Sequence, residues 1–318
     1  MTEPRSIQLG LCCINNKLRN QKPPIFCSRN MIMRTIESKG IDVLKKKILQ
    51  NLEDVVKLIE WNEKNGIRVL RLSSNMFPHK TNKKTTQYTF DFAIEHMKRI
   101  GEKAREYGHR LTFHPGQYNV VGTPHPHCYN STIDDLSYQA DVLDFMGMGK
   151  DSVMVVHGGG LYGDKKETIK RWIKQFKSLP EKVKRRLVLE NCERAFSVKD
   201  CLYISKKVNI PVVFDTHHFD IYTKLHPEDN LKKASYYMPY VLETWIKRGI
   251  KPKFHISEQG NGRIGKHSNY VEVVPEYLLE IPELYHIDID IMIEAKAKEA
   301  AIFKLYKKYP FLNCSTNK

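Results

Sequence analysis

Nine residues of metal-ligating type are scattered along the chain yet stand at matched places: His79, His114, His157, Glu190, Asp215, His218, His255, His267 and Glu294. They end, or lie just beyond, short runs of Val, Ile, Leu and Phe, as in Phe113-His114, Val156-His157, Leu189-Glu190, Phe214-Asp215 and Ile293-Glu294. Six imidazoles and three carboxylates gathered in one place would repel when charged and be costly to desolvate. Divalent cations remove both penalties, and this donor mix suits zinc, manganese, iron, nickel or cobalt. Nine ligands exceed the four to six that one ion takes, so two or three ions are expected. A single strand-end histidine would be an ordinary polar residue; a matched set in a repeating unit is not. His217 reads as a satisfied polar residue, and His109, His125, His127, His226 and His286 as surface or loop histidines.

Lys253 lies two residues before His255, so both side chains face one side of a strand. A lysine in a metal bowl is a deprotonated amine, a clamp for a substrate phosphate, or a carboxylated amine that has become an oxygen ligand. With a shifted register it reaches solvent instead. Asn15 follows the first apolar run and is placed to bond a phosphate or a base. Gln117 and Tyr118 follow His114-Pro115-Gly116. An amide beside an aromatic ring at the rim of a basic bowl suits probing of a base stack; a tight turn with a partly buried tyrosine is the plainer reading.

Such a gathering requires an architecture that brings many strand ends together. Eight β-like runs recur, at 7–12, 67–73, 110–114, 152–157, 186–190, 211–215, 251–257 and 288–294. Amphipathic stretches alternate with them at 41–65, 89–107, 134–146, 166–179, 198–207, 231–247 and 295–309. Alternation of this kind implies parallel strands with right-handed crossovers. No Gly-rich phosphate turn follows the first strand, as an open doubly wound sheet would show. The expected fold is therefore α/β, a (β/α)8 TIM barrel, with one domain over 1–312 and a short tail at 313–318. The loops 16–40 and 116–131 both follow strands. They should lie on the C-terminal face, where enzymes of this fold keep their active sites.

Of 318 residues, 52 are Lys or Arg and 36 Asp or Glu, a formal charge of +16. Such a field draws polyanions, nucleic acid first among them, although a lysine-rich composition without a partner gives the same total. No apolar run approaches the roughly 18 residues that cross a bilayer, and the apolar segment near the N-terminus is too short for a secretory core. The seven cysteines are irregularly spaced with no CxxC pair, as expected of reduced thiols. The chain reads as intracellular, in cytoplasm or nucleus, or virion-associated, and not secreted. It reads as a monomer with no membrane association and no obligate protein partner.

The segments TFHPGQY (112–118), VVHGGG (155–160), LENCE (189–193), VFDTHHF (213–219), KFHIS (253–257), KHSNYV (266–271) and IDIMIEAKAKEAA (289–301) keep one order and spacing. Together they resemble the ultraviolet-damage endonuclease family, whose architecture is similar to that of the endonuclease IV family. The resemblance implies a barrel holding up to three ions, manganese first, with zinc, cobalt or magnesium as alternatives. It implies double-stranded DNA as partner, cut immediately 5′ to cyclobutane pyrimidine dimers and (6-4) photoproducts to leave a 3′-hydroxyl, and action at abasic sites. It carries the metal ligands onto the nine residues above, a carboxylatable lysine onto Lys253, and lesion-probing or DNA-contacting roles onto Gln117, Tyr118 and Asn15. Two positions depart from the pattern: Leu11, where some members have tyrosine, and Asn269, where some have aspartate.

The chemistry expected is metal-assisted phosphodiester hydrolysis, with Glu190, Lys253 and Glu294 as the catalytic group and the two glutamates as bridging ligands. A barrel sugar isomerase or epimerase would also gather His, Glu and Asp around ions, but needs neither the charge nor the Gln-Tyr pair. An endonuclease IV-like abasic-site enzyme is a nearer alternative. A degenerate, non-catalytic DNA-binding barrel would have lost ligands, and none of the matched set is missing.

Overall fold

A computed structural model describes residues 6–85 and 87–313. The expected tail thus lies outside the described residues apart from Asn313. Strand β1 (Ile7–Cys12) is followed by α1 (Asn16–Asn20), α2 (Met33–Lys39) and the long α3 (Ile41–Lys64). Next come β2 (Val69–Arg71), α4 (Ile94–Glu106), β3 (Arg110–Thr112) and α5 (Pro126–Phe145). The chain continues through β4 (Met154–His157), α6 (Lys165–Lys177), α7 (Glu181–Lys184), β5 (Leu187–Glu190) and α8 (Val198–Val208). Then follow β6 (Val212–Asp215), α9 (Thr216–Leu225), α10 (Ala234–Arg248) and β7 (Lys253–Ile256). The last elements are α11 (Glu276–Leu279), α12 (Ile281–Tyr285), β8 (Ile289–Ile293) and α13 (Glu299–Lys308).

All strand pairs are parallel, in the order β3-β2-β1-β8-β7-β6-β5-β4. The ring closes between β3 and β4 through a parallel bridge from Phe113 to Met154. There the Phe113 N–H donates to the Val153 carbonyl at 2.9 Å and the Val155 N–H to the Phe113 carbonyl at 3.0 Å. The expected (β/α)8 barrel is what the chain forms. No helix of the described residues is long and apolar enough to cross a membrane.

The period-two alternation of each strand sorts its side chains. Leu9, Leu11, Phe214, Phe254, Ile289, Ile291 and Ile293 face outward into the main core under the helices. Cys12, Val69 and Met292 form a separate small cluster inside the ring. The inward positions above and below that cluster are polar, which is unusual, since barrel interiors are normally filled by branched apolar side chains. Toward the N-terminal end, Arg110 Nη1 meets Asp290 Oδ2 at 2.8 Å, and Lys251 Nζ meets Asp290 Oδ1 at 2.6 Å. Toward the C-terminal end, the inward positions are the candidate ligands.

Several expectations about the elements are corrected. Strand β1 has its expected bounds, and the other seven strands are shorter than their apolar runs. The stretch 89–107 breaks into a turn of 3-10 helix (Asp91–Ala93) and α4. Helix α5 starts at Pro126, eight residues before the apolar period becomes visible, with proline in its first turn. The loop 16–40 contains α1 and α2. Helix α9 has no counterpart among the amphipathic stretches. It begins directly after β6 because the Asp215 carboxylate accepts the His218 N–H at 2.7 Å and caps it.

His109 is not a surface histidine. It lies between α4 and β3, 4% exposed, with Nε2 3.3 Å from Glu63 Oε2. Burial pushes its pKa down to about 4, against the pull of Glu63. Between pH 6.5 and 4 the unfolded chain therefore takes a proton that the folded one refuses. This share of stability is complete above pH 6.5 and is lost as pH falls toward 4. His109→Gln should flatten the fall in unfolding free energy, from urea melts, between pH 7 and 5 by roughly 1–2 kcal/mol. An unchanged slope would show that this imidazole does not titrate differently on folding.

A candidate metal centre at the barrel mouth

Glu190, the last residue of β5, sits wholly buried at the middle of the mouth. Its Oε2 lies 3.0 Å from His114 Nε2 and 3.7 Å from His157 Nε2. Its Oε1 lies 2.9 Å from His255 Nδ1 and 3.6 Å from His218 Nδ1. Each imidazole arrives from a different element: His114 just past β3, His157 at the end of β4, His255 within β7 and His218 in the first turn of α9. Glu294 follows β8, with Oε1 3.3 Å from His255 Nδ1. Asp215 ends β6, with Oδ1 3.7 Å from His218 Nδ1.

Three donor sets emerge: His114 with Glu190 and His255, His157 with Glu190 and His218, and Asp215 with His255 and Glu294. Within each set the donor atoms lie within 4.8 Å of one another. Glu190 and His255 each belong to two sets, so the sets overlap as adjoining cation sites would. The donors also fit cations chemically. Asp215 Oδ2 and His157 Nδ1 are buried with no hydrogen-bond partner among the described residues. A buried carboxylate oxygen left bare is costly, and a cation satisfies it.

The electrostatics divide the donors: burial raises the Asp215 carboxyl to about 8, a cost that a cation would offset. Burial pushes His157 and His255 down to about 4, leaving neutral imidazoles at pH 7, the form that binds metal. Burial opposes ionisation of Glu190 and Glu294. The histidines around Glu190, and Arg71 beside Glu294, nevertheless hold both carboxyls well below the usual carboxylate range. Burial also disfavours charge on His218, but Asp215, Glu190 and Glu193 push it up to about 9.

Two of the nine expected ligands stand apart. His79 lies outside the three donor sets, with its ring nitrogens engaged by the segment before α2 and by its own loop. Its Nε2 is 2.7 Å from the Met31 carbonyl and its Nδ1 3.4 Å from Asn82 Nδ2. His267 reaches the rim, with Nδ1 3.8 Å from Glu294 Oε2. His217 is buried rather than satisfied. Its Nε2 lacks a partner, and its ring packs against those of His218 and His267.

Lys253 does not reach solvent. It is fully buried inside β7, with Nζ 2.6 Å from His255 Nε2. Burial, with Arg71 and Arg110 nearby, pushes its pKa down to about 8. Asn15 is 1% exposed, and its side-chain carbonyl accepts the Leu18 N–H at 2.9 Å to cap α1. The helix N-terminus thus claims its acceptor, while its Nδ2 is buried with no partner among the described residues.

Gln117 is exposed and Tyr118 is 70% exposed, in the loop between β3 and α5. The Tyr118 ring folds back over Gly116, where a Cβ would come within 2.4 Å of Cε1. Leu11 is fully buried under the helices, and the Asn269 carbonyl accepts the Ala297 N–H at 2.9 Å.

Arg71 is a member of the mouth that histidine and acid spacing does not reveal. Its Nη1 lies 2.5 Å from Glu294 Oε1. Alternation from Val69 is the signal that places it inside the ring.

A family model described as UV-endonuclease UvdE matches residues 7–316. A protein of Acanthamoeba polyphaga mimivirus is 37% identical over 308 residues, covering 95% of this chain and 91% of its own. The UV-damage endonuclease of Schizosaccharomyces pombe is 37% identical over 316 residues; they make up 96% of this chain but 51% of the yeast protein. Among solved structures, the crystal structure of SacUVDE superposes with a TM-score of 0.81 at 28% identity, over 96% of this chain and 100% of that one. Endonuclease IV from Thermus thermophilus superposes with a TM-score of 0.56 at 14% identity, over 97% and 99%, a likeness of fold.

Proposed function

Because the chain belongs to the UV-endonuclease UvdE family, we propose that it is a metal-dependent endonuclease that nicks duplex DNA immediately 5′ to ultraviolet photoproducts. Its substrates on this reading are cyclobutane pyrimidine dimers and (6-4) photoproducts, with abasic sites as a further class. The observation that carries the reading is Glu190 held among four imidazoles, with orphaned donors of Asp215 and His157 beside it.

Two or three ions, manganese first, would be held by Glu190, Glu294, Asp215, His114, His157, His218 and His255, with His267 at the rim. When bound, they supply Lewis-acid charge at the phosphate and lower the pKa of a water. In the reaction, the oxygen of a water joins phosphorus and the bond from phosphorus to O3′ breaks. O3′ takes up a proton, leaving a 3′-hydroxyl and a 5′-phosphate.

The chain's own groups prepare this step. Glu190 stays ionised and presents both oxygens, and His157 and His255 stay neutral. Exposed Lys17 and Arg19 on α1, with Arg194, Arg263, Lys266 and Lys296 on segments that follow strand ends, suit a duplex backbone. Tyr118, with Gln117 beside it, is placed to wedge into a base stack already weakened by damage. Lys253 on this reading is either a ligand after carboxylation or a cation beneath the phosphate.

The test is an end-labelled duplex with one thymine dimer, incubated with Mn²⁺ or with EDTA. One nick directly 5′ to the dimer, in the Mn²⁺ lane alone, is expected. Absence of a nick under every divalent ion tried would reject the proposal.

A further inference from the structure

Arg71 ends β2 in register with Cys12 and Thr112, on the inward side of the ring and at its mouth. One N–H group is committed, Nη1 to Glu294 Oε1 at 2.5 Å. The Cys13 sulfur lies beside the guanidinium as a second partner. A guanidinium has five donors in a rigid fork. None of the rest is among the buried atoms that lack a partner. With the side chain 16% exposed at the end of β2, part of the fork is reachable from the mouth.

The other interior cations are placed differently. Arg110 is paired with Asp290 toward the opposite end of the ring, and Lys253 is enclosed against His255. Among the described residues, Arg71 is thus the interior cation with part of its fork reachable from the mouth, and arginine keeps its charge throughout the working range of pH.

Resting on the nuclease reading above, we propose that Arg71 is a phosphate-binding residue. Its reachable N–H edge receives a non-bridging oxygen of the phosphodiester to be cut, while Nη1 holds Glu294 in place. The fork geometry suits a phosphate, and the ion pair with Glu294 keeps the guanidinium oriented before the substrate arrives.

The test uses the full chain with Mn²⁺ under single-turnover conditions. Its substrates are the thymine-dimer duplex and the two phosphorothioate diastereomers at the scissile linkage. The series is repeated with Zn²⁺, which takes sulfur ligands where Mn²⁺ favours oxygen, so a slowing on sulfur substitution that persists with both ions reports on protein donors and not on a metal contact. Wild type should cut one diastereomer about tenfold more slowly than the oxygen substrate, the loss of one charge-assisted hydrogen bond. Arg71→Gln should cut the oxygen substrate roughly 10- to 100-fold more slowly than wild type, and its sulfur effect should shrink to near unity. Arg71→Lys should fall between them on both counts, and it decides the matter if the glutamine variant does not fold.

A variant slowed equally on all three duplexes, its sulfur effect intact, would reduce Arg71 to a brace for Glu294 and overturn the proposal. So would a wild type indifferent to sulfur in both diastereomers. Failure of wild type to nick the oxygen duplex at all would instead sink the nuclease reading, and this inference with it.

Discussion

Glu190→Gln should lower the rate of dimer-dependent nicking by at least about a thousandfold, with the protein still folded and still bound to DNA. The amide keeps the shape but removes the negative charge that four imidazoles share. It also replaces an acceptor that meets His255 and His218, or His114 and His157, with a donor. Two of the three donor sets lose a ligand at once. Titration of the variant with Mn²⁺ should accordingly show weaker binding as well as slower chemistry. Single-turnover rates beside an unchanged circular dichroism spectrum make the measurement. A variant that cuts within tenfold of wild type would mean that Glu190 is a structural acid and that the chemistry lies elsewhere.

Asp290→Ala should cost about 3–5 kcal/mol of stability and leave the mouth intact. Asp290 is wholly buried and takes Arg110 on one oxygen and Lys251 on the other. Without it the Arg110 guanidinium stays enclosed, with Nε on the Asp151 carbonyl, Nη2 already lacking a partner, and no counter-charge. An apolar pair removes the problem, so Asp290→Ala combined with Arg110→Met should recover part of the loss. Urea midpoints of the single and double variants decide this. A single-variant loss below about 1 kcal/mol would show that water or repacking reaches the interior more easily than the closed ring implies.

The two expectations draw on opposite ends of one polar column inside the barrel, and those ends are legible in the sequence to different degrees. The Glu190 cluster can be seen in the chain, because each member stands in, at the end of, or just beyond an apolar run and the runs repeat. The Arg110–Asp290 pair cannot. Both residues sit at ordinary positions in strands, 180 apart in sequence, and nothing local marks them as partners. The helix starts are blurred for a related reason. Capping by Asp215 and the proline-led start of α5 depend on one or two residues, whereas apolar period needs several turns to declare itself.

Order of residues alone sufficed for the closed ring of eight parallel strands and for most of the candidate donors gathered at its mouth, since period-two burial and βα alternation are local properties that survive any arrangement of loops. The paths of those loops, and the stagger of strands around the ring, are not local. They hold His79 on the Met31 carbonyl, turn Asn15 into a helix cap, bury His109 and set Arg71 against Glu294. Each of those outcomes depends on contacts between segments far apart in the chain, whose closure is favoured by the packing of the whole barrel and by no short stretch of it.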